Sequence, residues 1–355
     1  MPLTGSTRAR ATVEAMPNSD CDVLVVGAGV IGITTAICLA ESGARVLIRA
    51  ASAPGQTTSS VAGAIWGPHL VEESARVDRW GRETLAVLRE QAADPAAGVR
   101  TLSGVQAIRG VPAAPPEDVP AETPDWMSDL GASPCPAGDL PPGFACGWRY
   151  SAPVVHMPTY LSYLVARFEA AGGHLEAGTV GSLPAAGAEH RARAVVNCTG
   201  AGAHGLLPDP ALQPFRGQVV IAENPGLNEF FIGLPDGTME LVYLFPHGDT
   251  VVLGGTAVGG DWNTEPVPAV AERILRDCAV IEPRVHGARV LHHRVGLRPF
   301  RPQVRLEAEL PGPGPLVVHN YGHGGAGITL SWGCAREAAG LAARALGRAA
   351  STRPG

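Results

Sequence analysis

A short apolar strand that runs directly into a glycine-rich turn limits the folds open to this chain more than any other feature. Residues 21–26 read CDVLVV, and residues 27–32 read GAGVIG. An amphipathic helical pattern follows, ended by Gly43, and a second apolar strand begins at Arg45. This β-α-β unit predicts a Rossmann-type α/β fold whose turn binds the pyrophosphate of a dinucleotide.

The three glycines of the turn have separate expected roles. Gly27 makes the turn, Gly29 lets the backbone approach a pyrophosphate, and Gly32 lets the helix pack on the strand. The helix N-terminus then presents unpaired N–H groups to the phosphates. Arg49 stands where an acidic residue usually holds the ribose. Arginine there is compatible with a 2′-phosphate, a ribose hydrogen bond or adenine stacking, and the turn leaves these alternatives open.

The residue inventory excludes several functional classes. The 355 residues include no lysine, which removes both Schiff-base and P-loop lysine chemistry. The net charge of −6 is spread along the chain and argues against nucleic-acid binding. No apolar run approaches the roughly 20 residues that span a bilayer. Residues 1–20 lack the apolar centre of a secretory signal, so a cytoplasmic location is expected. The seven scattered cysteines do not form a disulfide framework, and a bridge between Cys135 and Cys146 stays open.

The rest of the pattern predicts two interleaved domains. The Rossmann-type domain takes residues 21–75, 150–218 and 291–348, and a β-rich domain takes residues 76–149 and 219–290. Residues 1–20 form a disordered extension and residues 349–355 a tail. Helices are expected at 76–100, 158–171, 267–278 and from about 328 to 348, and residues 110–147 are expected to form an irregular surface excursion.

Three segments are more specific than the glycine turn. They read TTSSVAGAIWGPHL (57–70), VGLRPFRPQVRLE (295–307) and HNYGHGGAGITLSWG (319–333). Together with the turn they resemble the D-amino-acid oxidase family, which also contains D-aspartate oxidases, from residue 21 to about residue 346. The resemblance implies FAD as cofactor, with the β-rich domain binding substrate, and so implies FAD rather than NADP beside Arg49.

The resemblance and the turn together assign cofactor contacts in three parts of the chain. The turn contributes Gly27, Ala28, Gly29, Val30, Ile31 and Gly32, with Arg49 after it. The stretch beside the pyrophosphate and flavin ring contributes Thr57, Thr58, Ala62, Gly63 and Ile65. The pyrimidine edge of the flavin is contacted by Gly324, Gly327, Ile328 and Thr329.

The resemblance also implies how a D-amino acid binds. Arg298 holds the substrate carboxylate, Tyr243 hydrogen-bonds the same carboxylate, and the Gly325 carbonyl receives the amino group. A guanidinium suits a carboxylate because it forms two parallel charge-assisted bonds. Three such points hold the α-hydrogen against the flavin for one enantiomer only. The implied reaction is hydride transfer to flavin, with oxygen as acceptor, giving hydrogen peroxide, a 2-oxo acid and ammonia.

The sequence departs from the family in the substrate pocket, for which Ile65, Gly67, His69 and Met239 are the candidates. Met239 replaces a lid tyrosine, and His69 replaces a tyrosine common in enzymes for neutral substrates. Residues 229–245 contain no arginine, which favours neutral D-amino acids. A D-aspartate oxidase, motivated by His69, an NADP-dependent dehydrogenase and a silent flavin-binding module are the alternatives. Neither a nucleic acid nor a membrane is an expected partner, and a homodimer stays open.

Overall fold

The computed structural model describes residues 21–109, 123–234 and 241–347. The expected extension at 1–20 and tail at 349–355 lie outside the described residues. The strands are β1 Val23–Val26, β2 Val46–Ala50, β3 Val99–Arg109, β4 Ser133–Pro134, β5 Phe144–Val155, β6 His174–Ala177, β7 Ala194–Asn197, β8 Gln213–Glu223, β9 Phe230–Leu234, β10 Val242–His247, β11 Thr250–Gly254, β12 Val258–Gly259, β13 Val290–Glu309 and β14 Leu316–His323. The α-helices are α1 Val30–Glu41, α2 Thr58–Val61, α3 Ala75–Gln91, α4 Asp125–Ser128, α5 Met157–Ala170, α6 Leu183–Glu189, α7 Pro268–Ile281 and α8 Gly327–Ala345.

All described strands belong to one mixed sheet, in the order β4-β5-β3-β9-β10-β11-β8-β13-β14-β7-β1-β2-β6, with β12 added beside β8. The run β14-β7-β1-β2-β6 is parallel throughout. Helices cover both of its faces, since Val25 of β1 packs in the cluster that contains α1 and Val26 in the cluster that contains α6. Burial on two faces explains why β1 is apolar at every position. The expected α/β class is confirmed.

The sequence predicts an amphipathic helix α1 with one exposed face, and this prediction is wrong because nearly all of the helix is enclosed. Glu41 is its one exposed residue. The Thr34 hydroxyl donates to the Ser331 carbonyl of α8 at 3.3 Å, and Asn320 of β14 donates to Thr35 at 3.2 Å. Because the sheet and α8 enclose α1, its polar positions are satisfied inside the protein. The predicted end at Gly43 agrees with its left-handed φ of 86°.

The other half of the sheet is antiparallel except where β3 runs parallel to β9. The 20-residue strand β13 joins the halves, because its first part pairs with β8 and its last part with β14. The pairing with β14 is irregular between Phe300 and Arg305. Both proposed domains therefore share one sheet, and their exact boundaries stay a prediction.

The surface excursion expected over residues 110–147 is wrong for its described part. Residues 123–147 contain α4, β4 and the start of β5, and β5 pairs with β3 from Val99 opposite Val155 to Arg109 opposite Phe144. The helix expected to reach residue 100 ends at Gln91. The glycines and prolines of these segments, which usually indicate loops, lie within or beside strands here. The periodicity of a single sequence does not reveal such strands. Cys135 and Cys146 are free thiols.

Within the described residues, no helix combines the length and the apolar composition that crossing a bilayer requires.

Candidate active site

A cavity of about 1060 Å³ runs from the glycine turn to the middle of the antiparallel half. Its wall includes the turn after β1, the stretch from Thr57 to Leu70, and the loop between β14 and α8. Strands β8, β9 and β10 close its far side. The structure therefore brings the three predicted cofactor segments and the predicted carboxylate clamp to one space.

The glycine turn has no room for a side chain at Gly27 or at Gly32. Gly27 has φ 109°, and a Cβ there would lie 2.5 Å from the Cys198 carbonyl oxygen. A Cβ on Gly32 would lie 1.9 Å from the Gly27 carbonyl oxygen. The first turn of α1 contains no acidic residue, and the Val30 amide donates to Ser59 at 3.0 Å. The helix end is thus suited to a pyrophosphate, both sterically and by its dipole.

Residues 57–67, which include α2, form a narrow strip along the wall of the cavity. A Cβ on Gly63 would lie 2.6 Å from the Phe245 ring, and Ala64 adopts an uncommon φ of 54°. His247 Nε2 lies 3.2 Å from the Gly63 carbonyl oxygen. Burial lowers the pKa of His247 to about 4, so the imidazole is neutral and donates this bond. Small residues leave the strip accessible to a flat ligand, while β10 supports it from behind.

The loop before α8 lies against the end of this strip. A Cβ on Gly324 would lie 1.8 Å from the Leu70 carbonyl oxygen, and a Cβ on Gly325 2.4 Å from the His69 ring. The Thr329 hydroxyl donates to the Gly67 carbonyl at 2.9 Å and accepts from the Gly67 amide at 3.2 Å. The two segments are therefore joined directly, and the N-terminus of α8 lies at the cavity.

Arg298 and Tyr243 meet on the cavity side of the antiparallel half. Arg298 Nη1 donates to the Thr256 carbonyl at 2.8 Å. A Cβ on Gly217 would lie 2.3 Å from this guanidinium, and a Cβ on Gly254 2.0 Å from the Tyr243 ring. Burial raises the pKa of Tyr243, and the positive charge of Arg298 opposes that shift. The tyrosine is therefore a protonated donor, and two glycines provide the space for the pair.

His69 lies at the same end of the cavity with its Nε2 buried and without a hydrogen bond to the described protein. Burial, with the Arg298 charge as a second cause, lowers the pKa of His69 to about 3. Its imidazole is therefore neutral near pH 7 and adds no positive charge beside the guanidinium.

Arg49 lines the other end of the cavity, where the nucleotide is expected. Its guanidinium pairs with Glu189 at 3.1 Å and lies 3.6 Å from Glu176, which faces it on β6. His190 Nε2 lies 2.9 Å from its Nη1. These carboxylates neutralise the positive charge of Arg49, which a 2′-phosphate would need as its partner. The site therefore does not favour NADP.

Most of the other predicted contacts also line the cavity: Ala28, Val30, Ile31, Thr58, Ala62, Ile65, Gly67, Gly327 and Ile328. Met239 lies outside the described residues. Four cavity residues were not predicted from the sequence: Ile232, which is directly opposite Tyr243, and Gln106, Trp126 and Tyr150, which lie further along the cavity. The alternating pattern of β3 is a signal for Gln106, but no strand was expected between the helix at 76–100 and the excursion at 110–147.

The fold and the cavity define a flavin-dependent oxidoreductase. A family model described as FAD dependent oxidoreductase matches residues 22–341. The chain is 50% identical over 325 residues to a D-amino-acid oxidase of Rubrobacter xylanophilus, covering 91% of this chain and 96% of the relative. The chain belongs to the D-amino-acid oxidase family of FAD dependent oxidoreductases, as its motifs indicated. FAD is its cofactor, and the protein is an enzyme.

Other relatives extend this picture. A D-amino-acid oxidase of Streptomyces coelicolor is 44% identical over 91% of this chain and 97% of the relative. Human D-aspartate oxidase is 35% identical over 90% of this chain and 94% of the relative. Among solved structures, glycine oxidase from Geobacillus kaustophilus matches with a TM-score of 0.77 at 20% identity, covering 95% of this chain and 100% of that chain. That last likeness concerns the fold.

Proposed function

We propose that this protein oxidises neutral D-amino acids to imino acids with FAD and oxygen. The observation that carries the proposal is the Arg298–Tyr243 pair, in which Tyr243 is buried and Arg298 half-buried. The pair lies beside the cofactor segments, and two glycines make room for it. Relatives named D-amino-acid oxidase, at 50% and 44% identity, support the same reaction.

The residues present fit FAD. The side-chain-free turn at Gly27 and Gly32 and the N-terminus of α1 suit the pyrophosphate. The strip around Gly63 and the α8 N-terminus at Gly327 would hold the ring system between them. FAD, when bound, accepts a hydride from the substrate α-carbon and passes the electrons to oxygen.

The protein's own part in the reaction is to bind and orient the substrate. The Arg298 guanidinium would hold the carboxylate through two charge-assisted hydrogen bonds, and the Tyr243 hydroxyl would donate a third. The Gly325 carbonyl would accept from the amine. Such positioning of reactants is worth up to about 7–11 kcal/mol of a barrier. Only a D-amino acid then directs its side chain into the open part of the cavity.

The charges around the cavity favour a neutral side chain over D-aspartate. Of the arginines that line it, Arg298 holds the α-carboxylate and Arg49 pairs with carboxylates at the nucleotide end. Residues 110–122 and 235–240, which the structure does not describe, contain no arginine, lysine or histidine. His69 is neutral because its pKa is about 3. A second substrate carboxylate would therefore lack a positive partner, and its desolvation would be costly.

The test is peroxide release by the purified full chain with FAD. D-alanine and D-methionine should be oxidised, D-aspartate should have a kcat/KM at least tenfold lower, and L-alanine should give no peroxide. Faster oxidation of D-aspartate would instead identify a D-aspartate oxidase. Absence of peroxide with every D-amino acid, from a yellow protein, would contradict the proposed function. The cytoplasmic location and the homodimer alternative stay predictions from the sequence.

A further inference from the structure

A row of side chains crosses the antiparallel half on the face that lines the cavity. Cross-strand register places Val219 of β8, Gly254 of β11, Tyr243 of β10, Ile232 of β9 and Gln106 of β3 directly opposite one another. Directly paired residues project from the same face of a sheet. The row therefore continues past the carboxylate clamp and ends at Gln106.

The row gives the cavity a direction and a length. Arg298 lies on β13, on the opposite side of Tyr243 from Ile232. Gln106 is two strands beyond Tyr243, which is about 10 Å because neighbouring strands are about 4.8 Å apart. A substrate whose carboxylate is fixed at Arg298 and Tyr243 can therefore extend a long side chain past Ile232 towards Gln106.

The far end of the row is aromatic. The Tyr150 hydroxyl donates to Gln106 Oε1 at 3.0 Å. The Trp126 ring of α4 stands edge-on to Tyr150, with centroids 6.0 Å apart and planes at 85°. A Cβ on Gly67 would lie 3.5 Å from the Trp126 ring, with no other contact within 4 Å. The space is thus bounded by Trp126 and Tyr150 on one side and by the strip of residues 57–67 on the other.

Trp126 differs from the aromatic residues of the core. Trp148 is 4% exposed and Trp66, which also lines the cavity, is 3% exposed, whereas Trp126 lines the cavity and is only partly buried. Its neighbour Tyr150 is 3% exposed, and burial raises its pKa well above the ordinary range, so the hydroxyl stays protonated. No lysine or arginine lines this end of the cavity among the described residues. The rings of Trp126 and Tyr150 offer a flat aromatic surface here, and Gln106 and the Tyr150 hydroxyl are its polar groups.

We propose that Trp126, Tyr150 and Gln106 form a distal subsite that selects D-amino acids with aromatic side chains, D-phenylalanine being the simplest. The proposal rests on the proposed function and specifies its substrate class. Edge-to-face and offset contacts to Trp126 and Tyr150 stabilise a substrate ring beyond the area it buries. A methyl side chain, as in D-alanine, does not reach the subsite.

The first measurement is kcat/KM for peroxide release with D-phenylalanine and D-alanine. The wild-type ratio should exceed ten, since hydrophobic pockets discriminate by about 10- to 200-fold per methylene-sized group. Trp126→Ala should lower the ratio about tenfold or more. Trp262→Ala, at a tryptophan that is 43% exposed, is the matched control and should leave it unchanged.

A second variant fills the subsite instead of emptying it. Gly67→Leu directs its side chain at Trp126, with open space around the new Cβ. It should also lower the D-phenylalanine to D-alanine ratio. Because the two variants change the pocket volume in opposite directions, a common loss would not follow from general destabilisation.

Binding without turnover separates this proposal from the proposed function. 3-Phenylpropionate should perturb the flavin absorption of the holoenzyme at a Kd at least tenfold below that of propionate, and Trp126→Ala should abolish the difference. A wild-type preference for D-alanine, an unchanged ratio in Trp126→Ala or equal Kd values would overturn the distal subsite. Absence of all turnover, with 3-phenylpropionate still preferred, would contradict the oxidase reaction and leave the subsite supported.

Discussion

The parallel and antiparallel halves of this sheet build their parts of the site in different ways. In the parallel half, residues close in sequence form the cofactor turn, since Gly32 contacts Gly27 five residues away. In the antiparallel half, Arg298 depends on Gly217 and Tyr243 depends on Gly254. The turn is thus built from residues 27–32 and closed by a distant contact between Gly27 and Cys198, whereas the clamp depends wholly on contacts between strands.

The comparison predicts different consequences of mutation. Changes in the turn should reduce cofactor retention, because the turn has one tightly defined shape. Changes in the antiparallel half should reduce substrate oxidation while the protein retains FAD, because the clamp lies on β10 and β13, which are not part of the turn. The strand β13 belongs to both halves, and Arg298 lies before the irregular pairing at Phe300–Arg305.

Arg298→Leu is expected to have the largest effect. Removing the guanidinium deletes two charge-assisted hydrogen bonds of about 1.5–3 kcal/mol each, so the loss should be about 3 kcal/mol or more, which is roughly 100-fold or more in kcat/KM for D-alanine. The flavin spectrum of the purified protein should not change. Arg284→Leu removes an arginine that is 57% exposed and paired with Glu282, and serves as the control. An unaltered kcat/KM in Arg298→Leu would remove Arg298 from the clamp.

Gly32→Ala tests the other half. The added Cβ would lie 1.9 Å from the Gly27 carbonyl oxygen, so the backbone of the turn must move. Overpacking of this kind costs about 1–3 kcal/mol, and FAD affinity should fall by about tenfold or more. Titration of apoprotein with FAD measures it, with Gly181→Ala, which has no neighbour within 4 Å, as the control. Normal FAD affinity combined with lost turnover would break the proposed division between the halves.

The same division explains which features the sequence could predict. The β-α-β unit was predictable because its signal occupies adjacent residues, from the apolar β1 through Gly27 to Gly32. Arg298 and Tyr243 needed a resemblance to known proteins, because nothing in either segment alone specifies that they meet. The role of Gly217 in making room for Arg298 became visible only in the folded structure.

The distal end of the cavity was missed for a physical reason. Gln106 and Tyr150 approach each other because β3 and β5 pair in an antiparallel register. Pairing energy in a sheet comes from neighbours on other strands, so the local pattern of β5, with its glycine and proline, gives little signal. The helix α1 illustrates the opposite error, since its pattern was interpreted as amphipathic although Thr34 and Thr35 are buried.

A pH prediction concerns His247, which links the antiparallel half to the cofactor strip through Gly63. Its pKa is about 4 in the folded protein against 6.5 ordinarily, because burial disfavours the charged ring. Between pH 6.5 and about 4, His247 is protonated in the unfolded chain but stays neutral in the folded protein. Stability should therefore fall with pH between 6.5 and about 4, by up to about 1.4 kcal/mol per pH unit from this group.

Thermal unfolding of the holoenzyme between pH 7.5 and 4.5 measures this effect. His247→Gln, which keeps a donor for the Gly63 carbonyl, should reduce the acid sensitivity. His174→Gln, at an exposed position on β6, should not. Equal acid sensitivity in wild type and His247→Gln would exclude His247 as a contributor and weaken the inferred link between the two halves.

Tyr243→Phe is expected to have the smallest effect and separates binding from chemistry within the clamp. The variant removes the hydroxyl while Gly254 and Phe245 still hold the ring, stacked on Phe245 at 4.6 Å. One hydrogen bond contributes about 0.5–1.5 kcal/mol, which is about two- to twelvefold. Because the carboxylate keeps its charge throughout the reaction, the loss should raise KM and leave kcat nearly unchanged. Tyr163→Phe on α5 is the control. A fall in kcat with unchanged KM would mean that the hydroxyl acts on the reacting carbon, and the clamp would then rest on Arg298 without Tyr243.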